Sequence, residues 1–439
     1  MKRQIVKKAH NSSTQQIEQM IETALSPGNF ISYSAGSSFI SELDRVEKHL
    51  NKIIPTDPGL AVTFFETFLA GCFEKIEEID DSSGGFGMFV DSLFAGWVKA
   101  RQAASSDPDE TVTRLLTWGD NDPYCLCHNL EKNSIPHLNK AGLVAMEKQA
   151  RACLKSANKA KYEYRKWSEV LRLLYIQQQS VDGYLVIAEE TGLTDQDCHA
   201  IATMLADRRK YKDALSWVER GIALSEKTGF PVKHDLKSLR WDLLSKLGRD
   251  SEALDAVWAA YVKDPDKYSY RDLMNYVPKS DRNEWHIKAI QAATNTNLRT
   301  LIELMIEMKE VDRLAELLRS QKIADLESIT HFVLEPAAKA LEKNFPDVAA
   351  RLWCAQGLRI LTSKKSKYYN AAISNFEHGR RCFAVAGSST EWEAVVEKVR
   401  AEHRRKLGFM SDFEKVVAGG GPSKRPSFLE RARTRWGQR

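Results

Sequence analysis

The sequence has 439 residues, 43% hydrophobic and 28% charged, a balance that supplies a core and excludes an intrinsically disordered chain. No apolar run approaches the ~18 residues of a membrane span, and the length predicts roughly two or three domains. The net charge of +5 excludes a strongly cationic body, because it sits at the ends.

Lys2, Arg3, Lys7 and Lys8 put four positive charges at one end. From Ser423 onward, six basic residues against one acid put five at the other. Residues 9–422 are left with −4, so attraction to an anionic partner has to come from the ends. Seven cysteines, an odd number, are scattered at 72, 125, 127, 153, 198, 354 and 382. That scatter suits reduced thiols, with Cys72, Cys354 and Cys382 as small core side chains.

Residues 1–35 are expected to form a partly flexible N-terminal segment. Met1 to His10 is basic but lacks the apolar run of a secretory signal, so a cytoplasmic address is expected. Residues 36–135 are expected to form a helical subdomain. Leu60, Phe64, Phe68, Cys72, Phe73 and Ile76 recur by threes and fours, after an Asp57 placed to cap and a Pro58 suited to a first turn. Gly84-Gly85-Phe86-Gly87 breaks the chain, and Met88, Phe89, Phe94 and Trp97 carry the next helix. The glycine run could cradle an anion, but Glu77, Glu78, Asp80 and Asp81 beside it would repel phosphate, so it reads as a loop. The same acids match no calcium loop and read as a solvated helix end.

Residues 136–415 are expected to form a helical-repeat region, with no proline between Pro136 and Pro231. Thr194 with Asp197, and Ser388 with Glu391, have capping-box spacing. Asp207-Arg208-Arg209-Lys210 reads as an exposed helix terminus before Tyr211-Lys212-Asp213-Ala214-Leu215, with Val218 and Ile222 on one face. Leu247-Gly248-Arg249 then turns into Glu252-Ala253-Leu254, Val257 and Tyr261, ended by Pro265. The two Ala-Leu pairs lie 39 residues apart, near the period of helix-pair repeats, and echoes follow at Arg313–Leu318 and Tyr368–Ile373. Trp217, Trp241, Trp258 and Trp353 fall at apolar helix positions and read as core. Glu391, Glu393 and Glu397 precede Lys398, Arg400, Arg404, Arg405 and Lys406 along one helix, 389–407, in the order that complements its dipole. Sustained period-two alternation is missing, so little or no sheet is expected.

These repeats resemble tetratricopeptide repeats. The order of segments also resembles the helical regions of bacterial proteins that carry a SWIM-type zinc finger, and of related bacterial proteins that lack it. The resemblance rests on Ile76–Gly84, Ala253–Pro265, Trp285–Ile290, Tyr368–Gly387 and Glu391-Trp392-Glu393 through Lys406. It implies an all-α fold, a right-handed helix-pair (TPR-like) α-solenoid after the N-terminal subdomain, with no assigned activity. A SWIM finger needs Cys-x-Cys and then Cys-x-His as zinc ligands. Cys125-Leu126-Cys127 supplies the first half, but Cys198-His199 and Cys127-His128 are adjacent rather than spaced by one. The metal and the finger's nucleic-acid role therefore do not carry over.

No catalytic motif stands out, and the ten histidines are dispersed. A non-enzymatic scaffold or adaptor for a protein partner is expected, with no cofactor, no small-molecule substrate and no membrane. The candidate contact lies at 416–439, where Gly419-Gly420-Gly421-Pro422 leads into a basic tail. There Leu429, Ala432 and Trp436 share a helical face, and Lys424, Arg425, Arg431, Arg433 and Arg435 supply charge. The same tail could instead associate with nucleic acid.

Overall fold

A computed structural model describes residues 2–127, 129–159, 161–363 and 365–419, with side chains from residue 14 onward. The protein is all-α: the described residues hold no strand, and their one β-type pairing is the isolated parallel bridge between Ile31 and Ile79. The chain divides into two compact units, Met1–Leu247 and Gly248–Arg439, and the division falls inside the segment 136–415. The Ala-Leu pairs at 214 and 253 consequently belong to different units.

The first unit begins with α1 (Lys2–Leu25), α2 (Tyr33–Ile53), α3 (Pro58–Lys75) and α4 (Gly85–Ala103). It continues with α5 (Pro108–Asp120), α6 (Leu130–Ser134), α7 (Lys140–Ser156) and α8 (Tyr162–Gln177). Four more helices complete it: α9 (Val181–Thr191), α10 (Asp195–Asp207), α11 (Tyr211–Thr228) and α12 (His234–Lys246). Asp57 caps α3 as its sequence position requires, its carboxylate accepting from Leu60 N at 3.0 Å. Phe64, Phe65 and Phe68 of α3 and Phe86, Phe94 and Trp97 of α4 are fully buried. Met88 is not part of that face; the stripe runs through Phe86, Phe89, Val90 and Leu93, and Met88 is 68% exposed. Successive helices joined by short turns pack on each other, α3 on α4, α7 on α8 and α10 on α11.

The glycine run after α3 is a helix start. Gly84 adopts φ +71 and α4 begins at Gly85, one turn earlier than Met88. Asp81 accepts from Phe86 N at 2.8 Å and Gly87 N at 3.0 Å. The protein's own carboxylate thus occupies the place an anion would take. Thr194 and Asp197 form the capping box of α10. Asp197 does more than cap: it is buried, accepts from Arg172 Nε at 2.7 Å and from Tyr184 Oη at 2.9 Å, and so ties α8, α9 and α10 together.

The second unit opens with α13 (Asp250–Lys263), α14 (Lys267–Tyr276), α15 (Arg282–Ala293) and α16 (Leu298–Met308). Then come α17 (Val311–Arg319), α18 (Ile323–Ser328), α19 (His331–Leu341) and α20 (Pro346–Thr362). It closes with α21 (Tyr369–Ala386), α22 (Ser389–His403) and α23 (Leu407–Val417). Here α20 and α21 lie closest. A Cβ on Gly357 would stand 2.7 Å from the Phe376 ring, and one on Gly379 would stand 2.5 Å from Cys354 Sγ.

Three sequence expectations need correction here. The helix expected over 389–407 ends at His403, and a further helix, α23, follows. Both α22 and α23 pack on α21. At 1.5 Å per residue a straight helix through both would run about 43 Å, against about 27 Å for α21. Turning back brings Phe413 to 5.1 Å from Phe376, ring centre to ring centre. Ser388 makes no side-chain cap, because its backbone N–H closes α21 by donating to Phe383 O at 3.0 Å and its ψ of 57° is not extended. Of the tryptophans read as core, Trp241 and Trp353 are buried, whereas Trp217 and Trp258 are half-buried.

Helix propensity alone says Gly379→Ala should stabilise α21 by about 1 kcal/mol. The buried Cys354 sulfur in the way reverses the sign, and a loss of about 1–3 kcal/mol is expected in urea unfolding. A gain would show that α20 and α21 can part at no cost. Asp197 gives a pH-dependent test. Burial acts to raise its pKa, but the bonds from Arg172 and Thr194 outweigh it and hold the group below the ordinary aspartate value. A depressed folded pKa stabilises above the unfolded value and ceases to do so as pH falls through the folded one. Asp197→Asn should therefore cost about 3 kcal/mol at neutral pH, and the gap to the unsubstituted chain should narrow on acidification below the ordinary aspartate range. A gap that does not change with pH would sink this account.

Candidate interaction groove in the second unit

The groove is built by α14, α15 and the α16–α17 junction. Pro265 ends α13's extension, and Asp266 starts α14 with a capping box, accepting from Tyr268 N at 2.8 Å and Ser269 N at 2.7 Å. Helical spacing then puts Tyr270, Arg271 and Met274 along one side, all lining an open cavity of about 740 Å³. The first turns of α15 contribute Arg282, Asn283 and His286. Glu307 near the end of α16 and Lys309 beyond it complete the wall.

A relay of hydrogen bonds crosses the groove. Tyr270 Oη lies 2.8 Å from His286 Nδ1, and His286 Nε2 lies 2.8 Å from Glu310 Oε1. An ionised carboxylate only accepts, so His286 donates from Nε2, and in that tautomer Nδ1 accepts the hydrogen bond of the phenol. Tyr270 itself lines the cavity. Arg313 holds the other oxygen of Glu310 at 3.3 Å. Burial, with the negative charges of Glu307 and Glu310, pushes the Tyr270 phenol above its ordinary pKa despite Arg282. The phenol therefore serves as a fixed hydrogen-bonding group and is a poor source of phenolate.

Arg271 is clamped by Glu307 through two parallel bonds, 2.6 Å from Nε and 2.5 Å from the terminal nitrogen. The hydrogen bond to Arg271 lowers the Glu307 pKa in return. Behind them, Lys267 and Arg299 bracket Glu303 at 3.4 and 3.5 Å. Lys309 stands where a helix usually ends in glycine. Its φ is +62, while Lys309 N donates to Ile306 O and Glu310 N to Met305 O. A side chain in that conformation costs about 1–2 kcal/mol.

Beneath the relay runs an aromatic ladder. Trp285 meets Trp258 edge-on at 5.3 Å, Trp258 stacks on Tyr261 at 5.8 Å, and Tyr261 lies 6.4 Å from Tyr270. Tyr261 is fully buried and donates to Ala289 O at 2.8 Å, which fixes α13 against α15. Tyr268 is 60% exposed, with Lys267 and Arg271 over its ring at 5.2 and 5.9 Å.

Sequence reasoning passed over every member of this groove. The tail residues chosen instead, Lys424, Arg425, Leu429, Arg431, Arg433, Arg435 and Trp436, lie outside the described residues. The cysteines offer no counter-candidate. Burial raises the pKa of Cys72, Cys127, Cys198, Cys354 and Cys382, which disfavours their nucleophilic thiolates. Cys125 is exposed and Cys127 buried, and no group of three metal-binding side chains occurs among the described residues. A larger groove of about 960 Å³ between α1 and α2 is mainly apolar, and its charges Glu42 and Arg45 pair with each other at 2.8 Å. No described helix is long and apolar enough to cross a membrane.

The chain belongs to the Family of unknown function (DUF6880). The family model matches residues 2–412, which includes both the relay and its supporting ladder. A comparison with curated proteins found no match. Among solved structures, the chain is similar to one described as Naa15/Naa10 bound to HypK-THB, at 12% identity over 93% of this chain and 68% of that one, with a TM-score of 0.33. Another, a circular tandem repeat protein with novel repeat topology, has 11% identity over 92% of this chain and 96% of that one, with a TM-score of 0.20.

If the relay is cooperative, Tyr270→Phe and His286→Ala should not add in a double-mutant cycle. A coupling of about 0.5–1.5 kcal/mol is expected from urea unfolding of the four chains. Strict additivity would mean that the two side chains do not sense each other.

Proposed function

We propose that this chain is a non-enzymatic helical-repeat adaptor that engages a protein partner through the groove of α14, α15 and the α16–α17 junction. The observation that carries the proposal is the groove's construction. Its polar side chains are held in place before any partner arrives, by the Arg271–Glu307 clamp and the Tyr270–His286–Glu310 relay. Preorganisation of this kind lowers the cost of ordering side chains on binding. Aromatic and arginine side chains at such a surface are the usual energetic anchors. A phenol with a raised pKa and buried thiols favour recognition over chemistry. The reading places the protein in the cytoplasm, its cysteines reduced.

In this reading the basic tail is a second contact on the same partner. The spacing of Leu429, Ala432 and Trp436 is that of one face of a helix, with Arg431 and Arg435 beside it, the pattern of a segment that docks on a partner. An alternative use of the tail is nucleic-acid association, favoured by the net +5 carried from Ser423 onward. Binding of that kind would weaken steeply with salt and be lost with residues 423–439.

Affinity purification of the intact chain from its native host should recover a stoichiometric protein partner. Tyr270→Ala and Trp436→Ala should each weaken that capture, by about 1–3 kcal/mol. Repeated recovery of the chain alone would overturn the adaptor reading. Undiminished capture after truncation at Gly421 would remove the tail from it.

A further inference from the structure

We infer that the groove receives an acidic side chain of an extended partner peptide, seated between Arg282 and Lys309. The inference rests on the adaptor reading and names the chemistry of the partner.

Charge in the cavity wall is unbalanced in a particular way. Glu307 is the one carboxylate lining it among the described residues, and both its oxygens are taken by Arg271. The neighbouring acids are similarly engaged: Glu310 by His286 and Arg313, Glu303 by Lys267 and Arg299. Among the described residues, Arg282 and Lys309 form no ion pair with a carboxylate. Arg282 makes one long bond, 3.4 Å, to Met274 O. Both cations act inside the wall: Arg282 lowers the Tyr270 pKa and Lys309 lowers that of Glu307. With Glu307 already clamped by Arg271, these two exposed cations leave the concave wall net positive and attractive to an anion.

The surroundings select a peptide over a polyanion. Residues 248–310 contain nine basic and eleven acidic residues, so the groove is a small positive spot in an acidic stretch. Nucleic acid requires a positive track that follows its backbone, and repulsion by that stretch opposes it. A peptide supplies one localised carboxylate. It also brings backbone N–H and C=O groups, which can hydrogen-bond with the polar side chains of the wall. Asn275 and Asn283, which line the same wall, can donate and accept along an extended main chain.

The backbone at Lys309 bears on the same wall. Its left-handed backbone would be relaxed by glycine, so this side chain is kept where stability alone would discard it. The same fact yields a variant that separates binding from folding. Lys309→Gly removes the cation and relieves the backbone.

The test uses the full chain on an array of short linear peptides of mixed sequence and graded charge, followed by titration of a labelled Ser-rich peptide with one central Glu (the Glu-Ser peptide) and its counterpart with Gln at that position (the Gln-Ser peptide). The unsubstituted chain should retain acidic peptides preferentially and bind the Glu-Ser peptide over the Gln-Ser one. Arg282→Glu and Lys309→Gly should each weaken Glu-Ser binding by about tenfold or more. Lys309→Gly should unfold at the same or higher urea concentration than the unsubstituted chain. Peptides retained without regard to charge, or Glu-Ser binding unchanged in both variants, would overturn the inference and leave the adaptor reading standing. No retained peptide of any charge would overturn both. Tighter binding of inorganic phosphate or an oligothymidine than of the Glu-Ser peptide would reassign the site to phosphate.

Discussion

Close approach of paired helices, permitted where side-chain volume is missing, is the constraint on which both units depend. Gly357 and Gly379 let α20 and α21 meet until a glycine hydrogen is opposed by a phenyl ring or a thiol. In the first unit Gly96 does the same on α4, where a Cβ would come within 2.5 Å of Phe65. Cores packed this densely have little room to adjust, so each helix is fixed relative to its neighbour rather than free to slide. That fixity matters away from the core. Charged side chains of α14, α15 and α16 can only pair as they do if their helices hold register.

The ion pairs of the groove are not what holds the fold together. Pairs as exposed as Arg271 with Glu307 contribute little net stability in water. Their effect is to consume charge selectively. Arg271 and Glu307 cancel, His286 and Arg313 satisfy Glu310, and positive charge is left over at Arg282 and Lys309. The ladder of Trp258, Tyr261 and Trp285 supplies the rigidity that the pairs do not, with Tyr261 buried completely and bonded to the α15 backbone. Stability and recognition are thus carried by different residues, the ladder on α13 and α15 and the pairs on α14 to α17.

The sequence made local features readable and assembled features opaque, for a physical reason. Asp57 before Pro58 and Thr194 with Asp197 are caps formed within four residues, and their spacing alone requires the geometry. Cys72 and Cys354 were legible as core from their apolar helix neighbours. Ser388 with Glu391 shows the limit, since the same spacing fails when the candidate cap is already closing the preceding helix. The relay lies beyond that limit. Tyr270, His286 and Glu310 come from α14, α15 and the start of α17, and no periodicity links residues 16 and 24 positions apart. A denser than usual mixture of aromatic and polar residues at Tyr268–Tyr270 and Trp285–His286 was the one visible signal.

Lys309 joins these threads. A chain selected for stability alone would close α16 with glycine, as it closes α11 with Gly229 and α21 with Gly387, both in the left-handed region. At the end of α16 it accepts strain to carry a cation instead. Elsewhere the described chain accepts the same strain at Ser105, Cys125, Gln179 and Arg209, whose side chains line no cavity described above. The difference is what surrounds the residue. Around Lys309 the carboxylates of Glu307 and Glu310 are already engaged by other cations, which leaves its charge for the peptide carboxylate inferred above. Backbone strain gains a functional meaning only in combination with that unbalanced wall, and neither observation would suffice without the other.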